Sequence, residues 1–161
     1  SALRRTIMDR RTSGILLHPT SLPGNGPNGT LGREAIDFVA FLQASGQGLW
    51  QMLPLGPPAA ADSPYMATSA FAMNQLLLDA DDLVARGWLD AALLASRPHA
   101  AAQSDFDAHA RWQRDLLIPA LVSGFAAGAT DLDKQARADF EADAHWLLDF
   151  ALFEKIGRAH V

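Results

Sequence analysis

The fold of this chain is decided by residues 49–57, with the sequence LWQMLPLGP, and by the DSPY loop at residues 62–65. The apolar run is too short for a helix, and its prolines end it because proline has no amide hydrogen to extend a ladder. The pattern predicts a buried strand over residues 49–53, followed by a polar loop. In α/β proteins, ligands bind in such loops at the carboxyl ends of strands.

The loop offers three candidate binding residues: Asp62, Ser63 and Tyr65. Tyr65 is the only tyrosine of the chain, and it provides an aromatic face for stacking on a sugar ring and a hydroxyl to orient it. Pro64 keeps the backbone before it extended. The alternative is an ordinary proline-rich turn with Tyr65 in the core.

Residues 14–53 are predicted to form a strand, a helix and a second strand. An apolar run at residues 14–18 indicates the first strand, and apolar residues at helical spacing indicate a helix over residues 33–44, with Gly46 as its C-terminal cap. Such a crossover favours two parallel strands with a right-handed connection. Two strands alone do not make a stable enclosed sheet, so we expect the chain to be part of something larger.

The second half of the chain has helical patterns and no convincing central strand. Pro119 should kink or interrupt the longest helix, since it removes the bond to the carbonyl of Asp115. The predicted elements are helices at 81–86, 107–122 and 133–155 (the last as one or two helices), a loop at 126–130, and loose helix or linker at 89–102.

Composition limits the classes of function. The 161 residues are 49% apolar, enough for a core, and the net charge of -5 offers no surface for nucleic acid or an anionic membrane. No segment has the length of a signal peptide's apolar region or of a membrane span. The lack of cysteine fits a reducing compartment, which predicts a cytoplasmic location. The first residue is not methionine, which indicates a processed or partial chain.

Residues 24–29, GNGPNG, match the dinucleotide-binding fingerprint G-x-G-x-x-G in letters only. That fingerprint needs an acidic residue at the end of the second strand, yet there is no Asp or Glu between Asp37 and Asp62. A P-loop fails as well, because Thr30 and Leu31 follow where Lys and Ser or Thr are required. Nucleotide binding is therefore disfavoured.

No residue is assigned a catalytic or metal-binding role. The five histidines are scattered, with none at metal-ligand spacing. Ser21 and Ser63 lie outside any G-x-S-x-G elbow. Asp62 has no second carboxylate on the other strand's loop, which a glycosidase pair would require.

Five segments together closely resemble the N-terminal region of the amylomaltases, the 4-α-glucanotransferases of glycoside hydrolase family 77. Residues 144–147 and 151–153 resemble the helix before that family's third barrel strand, so the resemblance covers residues 12–155, most thinly over residues 90–140. The five segments are GILLHPTSLPG at 14–24, GTLG at 29–32, LWQMLPLGP at 49–57, DSPY at 62–65 and SAFA at 69–72.

The resemblance implies a (β/α)₈ barrel with helical insertions and transfer of α-1,4-glucan segments between maltooligosaccharides by a retaining double displacement. A barrel needs roughly 250 residues, so this chain would hold the first two strands and the helical insertion that follows. The family's three catalytic carboxylates lie on later strands, so the fragment is expected to be inactive alone. No cofactor is implied, and the partner would be a maltooligosaccharide or another α-1,4-glucan.

The resemblance also gives the loop residues their roles. Tyr65 matches the family tyrosine that stacks on glucose in the donor site next to the scissile bond, and Ser63 matches a neighbour that hydrogen-bonds sugar hydroxyls. Asp62 is assigned to substrate binding with them. A stand-alone carbohydrate-binding or interaction module is the alternative function.

The predicted organisation has three parts. Residues 12–75 are the first β-α-β part of the barrel with the sugar-site loop, and residues 76–155 are a helical insertion. Residues 156–161, IGRAHV, are expected to be a non-native tail, since a widely used sequencing-library adapter read in this frame encodes them.

Overall fold

Two short parallel strands form the sheet. The computed structural model describes residues 11–58, 63–98 and 106–159. Strand β1 spans Gly14–Leu16 and strand β2 spans Leu49–Gln51, with Ile15 opposite Trp50. The predicted parallel pair is confirmed, although each strand is shorter than the apolar run that indicated it.

Helix α1, Arg33–Ala44, connects the strands with the predicted bounds. Its inward face buries Ala35 and Leu42, and Phe38 meets Trp50 of β2 edge to face with ring centroids 4.8 Å apart. The helix ends at Gly46, whose φ of 72° is readily adopted by a residue without a Cβ. The amphipathic period and this cap together fix the crossover.

The strands are less buried than the sequence predicted. Ile15 and Trp50 are half-buried on the face that α1 covers, whereas Leu16 and Leu49 on the opposite face are exposed. Successive side chains of a strand point to opposite faces of the sheet. Among the described residues, α1 is the helix that packs on this sheet, and it covers one face. The prediction of a buried strand is therefore wrong for one face.

The second half of the chain is helical, as predicted, with different bounds. Phe125 lies edge-on to Trp88, 4.9 Å between ring centroids, within the last turns of a helix that continues to Gly128. The loop predicted at residues 126–130 is therefore wrong except for Ala129 and Thr130. The helices are α2, Ala80–Ala85; α3, Phe106–Trp112; α4, Ile118–Gly128; α5, Asp131–Asp143; and α6, Leu147–Ala159.

A π-helical turn at Gln113–Leu117 separates α3 from α4. It ends two residues before Pro119, which has no amide hydrogen for the α-helical ladder. π-bulges accommodate such breaks within an otherwise continuous helix. The predicted interruption of the helix at 107–122 is thus present as a change of helical pitch.

Thr130 starts α5 by a reciprocal cap. Its hydroxyl accepts from the amide of Asp133 at 3.2 Å, and the carboxylate of Asp133 accepts from the amide of Thr130 at 2.9 Å. The hydrogen bonds from Thr130 lower the pKa of Asp133. The predicted helical region at 133–155 is resolved into α5 and α6.

Short 3-10 turns occupy three connections that the sequence did not identify as such. One of them lies within the region predicted as loose helix or linker, of which residues 99–102 are outside the described residues. The turns span Pro19–Ser21, Gln75–Leu77 and Ala91–Ser96.

The main apolar core lies within the helical half, with Leu117 of the π turn fully buried at its centre. Among the described residues, the hydrogen bonds that join this half to the β-α-β part include Asn28 Nδ2 to the Leu76 carbonyl at 3.0 Å, Thr30 Oγ1 to Asp79 Oδ2 at 2.5 Å, and the Leu31 amide to the Leu77 carbonyl at 2.9 Å. The core residues are Ala80, Leu83, Leu89, Trp112 and Leu117.

The longest helical stretch described runs over residues 106–128 and consists of α3, the π turn and α4. Within the described ranges, no helix is long and apolar enough to cross a membrane.

Candidate functional site

A cavity of about 310 Å³ lies beyond the carboxyl ends of β1 and β2. Parallel strands end at the same edge of a sheet, so the loops that follow them converge there. The volume is within the range of small-ligand sites. Its walls are His18, Thr20 and Ser21 after β1, then Leu53, Pro54, Gly56, Pro58, Pro64, Asn74 and Leu76 after β2.

The wall after β1 is a tight turn closed by hydrogen bonds. His18 Nδ1 lies 2.7 Å from Thr20 Oγ1, and the Ser21 amide donates to the His18 carbonyl at 2.9 Å. The Gly29 amide donates to the Thr20 carbonyl at 2.9 Å, and a Cβ at Gly29 would lie 2.5 Å from the carbonyl oxygen of Leu22. Glycine is required there because the chain approaches its own backbone.

The wall after β2 is a lobe that returns to its starting point. An antiparallel bridge pairs Pro58 with Ala67, and the Thr68 amide donates to the Pro57 carbonyl at 2.8 Å. Further along, the Asn74 amide donates to the Leu55 carbonyl at 2.7 Å. These bonds bring Asn74 back beside the end of β2 and into the cavity wall.

The far end of the lobe is anchored on the helices. Ser69 Oγ accepts from the amides of Phe71 and Ala72, at 3.1 Å and 3.0 Å. The ring of Phe71 stacks on Trp146 with centroids 5.9 Å apart. The SAFA segment therefore holds the lobe against the start of α6.

Two of the three predicted site residues, Ser63 and Tyr65, lie on this lobe. Tyr65 is 73% exposed, which rules out the core position considered for it, and Ser63 is half-buried with its carbonyl accepting from the Met66 amide at 3.0 Å. Of the described residues of the DSPY motif, Pro64 lines the cavity, whereas Ser63 and Tyr65 are not among the lining residues. Asp62 lies outside the described residues.

Two cavity residues escaped sequence reasoning. His18 follows β1 directly, at the edge where parallel strands present their ligand loops, and that position was a usable signal. Asn74 was assigned no role from the sequence; the bond of its amide to the Leu55 carbonyl and the cap that its side chain gives to the Leu76 amide hold it at the wall. Within the described part of the chain, His18 Nε2 is buried without a hydrogen-bond partner.

The side chains that line the cavity suit binding. Thr20, Ser21 and Asn74 can donate and accept hydrogen bonds, the prolines and leucines give apolar surface, and none of the described lining residues is a carboxylate. Nowhere in the described ranges do three or more His, Asp or Glu residues form a group able to hold a metal ion. The described part of the wall can hold and orient a polar, neutral ligand.

A fold with parallel strands and ligand loops at their carboxyl ends defines an α/β protein with a small-molecule site at that edge. The family model described as 4-alpha-glucanotransferase, glycoside hydrolase 77, matches residues 17–161. This chain belongs to the 4-alpha-glucanotransferase family, so the resemblance found in the sequence is confirmed.

Relatives of this chain carry the same family name. A 4-alpha-glucanotransferase of a Synechocystis strain is 40% identical over 159 residues, which cover 96% of this chain and 31% of that protein. A 4-alpha-glucanotransferase of Thermus thermophilus is 42% identical over 151 residues, which cover 93% of this chain and 29% of that protein. The chain thus spans about a third or less of the length of these relatives.

A solved structure with the same fold is the amylomaltase from Streptococcus agalactiae in complex with acarbose. It superposes with a TM-score of 0.82 at 34% identity, over 93% of this chain and 30% of that chain. The arrangement of strands, loops and helices described above therefore recurs in an amylomaltase.

Proposed function

We propose that this chain is the N-terminal part of a 4-α-glucanotransferase that transfers α-1,4-glucan segments between maltooligosaccharides with retention. The observation that carries the proposal is coverage: matches of 40% and 42% identity extend over nearly all of this chain and over about 30% of the relatives. The relatives reported above are all named as glucanotransferases or as an amylomaltase, so a stand-alone binding or interaction module has no support from them.

In this proposal, β1 and β2 are the first two strands of a (β/α)₈ barrel. The exposed face of the sheet, with Leu16 and Leu49, supports it, because a barrel strand is covered on both faces when the barrel is closed. The proposed parts are residues 12–75 as the start of the barrel, residues 76–155 as a helical insertion with its own core, and residues 156–161 as a non-native tail.

The substrate contacts proposed for this chain lie on the lobe after β2. Tyr65 would stack on a glucose ring of the donor, since its exposed ring offers a flat apolar face. Ser63 would hydrogen-bond sugar hydroxyls, and Asp62 is proposed to bind substrate beside them. The cavity wall supports a neutral polyhydroxylated ligand because its described polar side chains are the hydroxyls of Thr20 and Ser21, the amide of Asn74 and the imidazole of His18.

The catalytic steps belong to residues outside this chain. Double displacement requires a carboxylate nucleophile, which forms a glycosyl-enzyme, and a carboxylic acid that protonates the leaving oxygen and then deprotonates the accepting glucan hydroxyl. This chain would orient the donor sugar for those groups. We place the protein in the cytoplasm, in keeping with its cysteine-free sequence.

Maltotriose disproportionation tests the proposal. The 161-residue chain is expected to give no products, and a protein extended to the length of its relatives is expected to form maltooligosaccharides of other lengths. Turnover by the short chain itself would show that the chemistry has been misplaced.

Calorimetric titration with maltooligosaccharides, combined with hydrogen exchange, tests the alternative function. Saturable binding by a monomeric chain with protected strand amides would favour the binding module. A chain that neither binds nor protects those amides would favour a truncated barrel with open strand edges.

A further inference from the structure

A second, much smaller cavity of about 20 Å³ lies where residues 24–28 meet the helical half of the chain. Asn28 lines it from the loop between β1 and α1, and His109 and Gln113 line it from α3 and the π turn. This cavity shares no lining residue with the cavity of about 310 Å³ described above, which is the candidate sugar site.

These three side chains are deeply buried. Asn28 is 4% exposed, His109 is 3% exposed and Gln113 is 1% exposed. Five of their polar atoms find no hydrogen-bond partner among the described residues: Asn28 Oδ1, both ring nitrogens of His109 and both side-chain amide atoms of Gln113. Buried polar atoms in native proteins are paired with protein or with water, because leaving one unpaired costs about 1–3 kcal/mol.

Four charged residues also line the cavity, and three of them, Asp79, Asp81 and Arg97, are held in hydrogen bonds; the fourth is Glu34. Arg97 Nη1 donates to Asp81 Oδ2 at 2.6 Å, and this bond lowers the pKa of Asp81. Asp79 accepts from the Thr30 hydroxyl. The unpaired polar atoms in the cavity wall belong to three uncharged side chains, Asn28, neutral His109 and Gln113.

The chemistry of those groups selects the ligand. Gln113 offers two N–H donors and one acceptor, neutral His109 offers one donor and one acceptor, and Asn28 Oδ1 is an acceptor. A cation is repelled by the donors and an anion by the acceptors, whereas a water molecule both donates and accepts. A buried water needs about 10–15 Å³ of such space, so the cavity has room for one.

We propose that this cavity is a hydration site, in which one buried water bridges Asn28 to His109 and Gln113. His109 and Gln113 are four residues apart, a spacing that puts them on one side of the helix. The water would join the loop between β1 and α1 to the helical half. Through the bond between Gly29 and Thr20, that loop continues to the wall of the candidate sugar site.

Oxygen-17 relaxation dispersion on the full chain counts waters that stay bound for long times. The variant Gln113→Met removes the amide while keeping side-chain length, and it is expected to hold one long-lived water fewer than the unsubstituted chain. The matched control is Leu117→Met, a buried apolar position in the same π turn, which is expected to keep the full number. Equal counts in the Gln113→Met variant and the unsubstituted chain would overturn the proposal.

A second measurement needs no substitution, so it stands if the variant unfolds. In the unsubstituted chain, the ring protons of His109 are expected to show cross-relaxation with water of the sign that a long-lived water gives. Ring protons that show no such transfer, in a chain whose Leu117 methyls have the dispersed shifts of a folded core, would equally overturn it.

Discussion

Trp50 of β2 donates its indole N–H to the carbonyl oxygen of Leu17 over 2.8 Å, just past the end of β1. The same indole lies edge-on to Phe38 of α1. One side chain thus joins strand to strand and strand to helix. Because His18 follows Leu17 directly, the bond also fixes where the first wall of the candidate sugar site begins.

Replacing Trp50 by Phe should keep the edge-to-face packing and remove the hydrogen bond. The Leu17 carbonyl would lose its donor in a half-buried place, and we expect the free energy of unfolding to fall by about 1–3 kcal/mol. Urea denaturation measures it. Phe153→Leu, at an exposed position of α6, should stay within about 0.5 kcal/mol of the parent. Equal unfolding midpoints for Trp50→Phe and the parent would contradict the role given to the bond.

Two glycines should respond differently to substitution. At Gly29 a Cβ would lie 2.5 Å from the Leu22 carbonyl oxygen, so alanine and asparagine should both destabilise the chain, by about 1–3 kcal/mol for overpacking. At Gly46 the φ is 72° and no described atom beyond its neighbours lies within 4 Å of a Cβ. The cost there is conformational, about 1–2 kcal/mol for alanine, and asparagine should recover part of it.

Thermal unfolding of the four variants separates the two causes. Gly46→Asn should unfold at a higher temperature than Gly46→Ala, and Gly29→Asn should unfold no higher than Gly29→Ala. If asparagine rescued position 29, the close approach of the backbone there would not be what requires glycine.

Local signals were sufficient for some elements and not for others. Helix α1 had a regular apolar period and a glycine at its end, so its bounds matched the prediction. The end of α4 did not match the prediction. The contact between Phe125 and Trp88 packs this end of the helix, and the two residues are far apart in sequence. The burial of the strands was also mispredicted, since an apolar run shows that a strand can be buried but not on how many faces it is covered.

The sequence likewise indicated some parts of the candidate site and not others. Position in the chain placed the DSPY loop after β2, and of its described residues Pro64 lines the cavity, whereas Ser63 and Tyr65 do not and their roles stay predictions. The amide of Asn74 donates to the carbonyl of Leu55, and this contact, which brings Asn74 to the wall, joins residues 19 positions apart that no local pattern relates. The position of His18 directly after β1 did indicate a place near the site. It was passed over because the five histidines were considered only as metal ligands, and none of them has metal-ligand spacing.

Stability should depend on pH through His109. Burial, followed by the charge of Arg97, holds the pKa of this ring below its usual value of 6.5. The folded state therefore favours the neutral ring, and the stability that follows is present above pH 6.5 and is lost as the pH falls through the lower folded pKa. Arg97 lies beside the ring, and Asp79, Asp81 and Glu34 line the same cavity.

Urea denaturation at a series of pH values between 7.5 and 5 measures this dependence, and NMR of the His109 ring protons measures its pKa. The variant His109→Phe keeps an aromatic ring beside Trp112, whose centroid lies 5.8 Å from that of His109. It should lose the part of the pH dependence that the parent shows below pH 6.5. If parent and variant weakened in parallel as the pH fell, the acidic residues would account for the change instead.

Tyr65 should affect use of the donor sugar more than folding, because its ring is 73% exposed. In a protein extended to the length of the relatives, Tyr65→Ala removes both the stacking face and the hydroxyl. We expect kcat/KM for maltotriose to fall about tenfold, which corresponds to about 1.4 kcal/mol of lost transition-state binding. Tyr65→Phe keeps the ring and should lose less. Met66→Ala, at the neighbouring exposed position, is the control and should retain the parental kcat/KM. Equal losses for Tyr65→Ala and Met66→Ala would mean that the lobe contributes shape alone and that Tyr65 has no particular contact with the sugar.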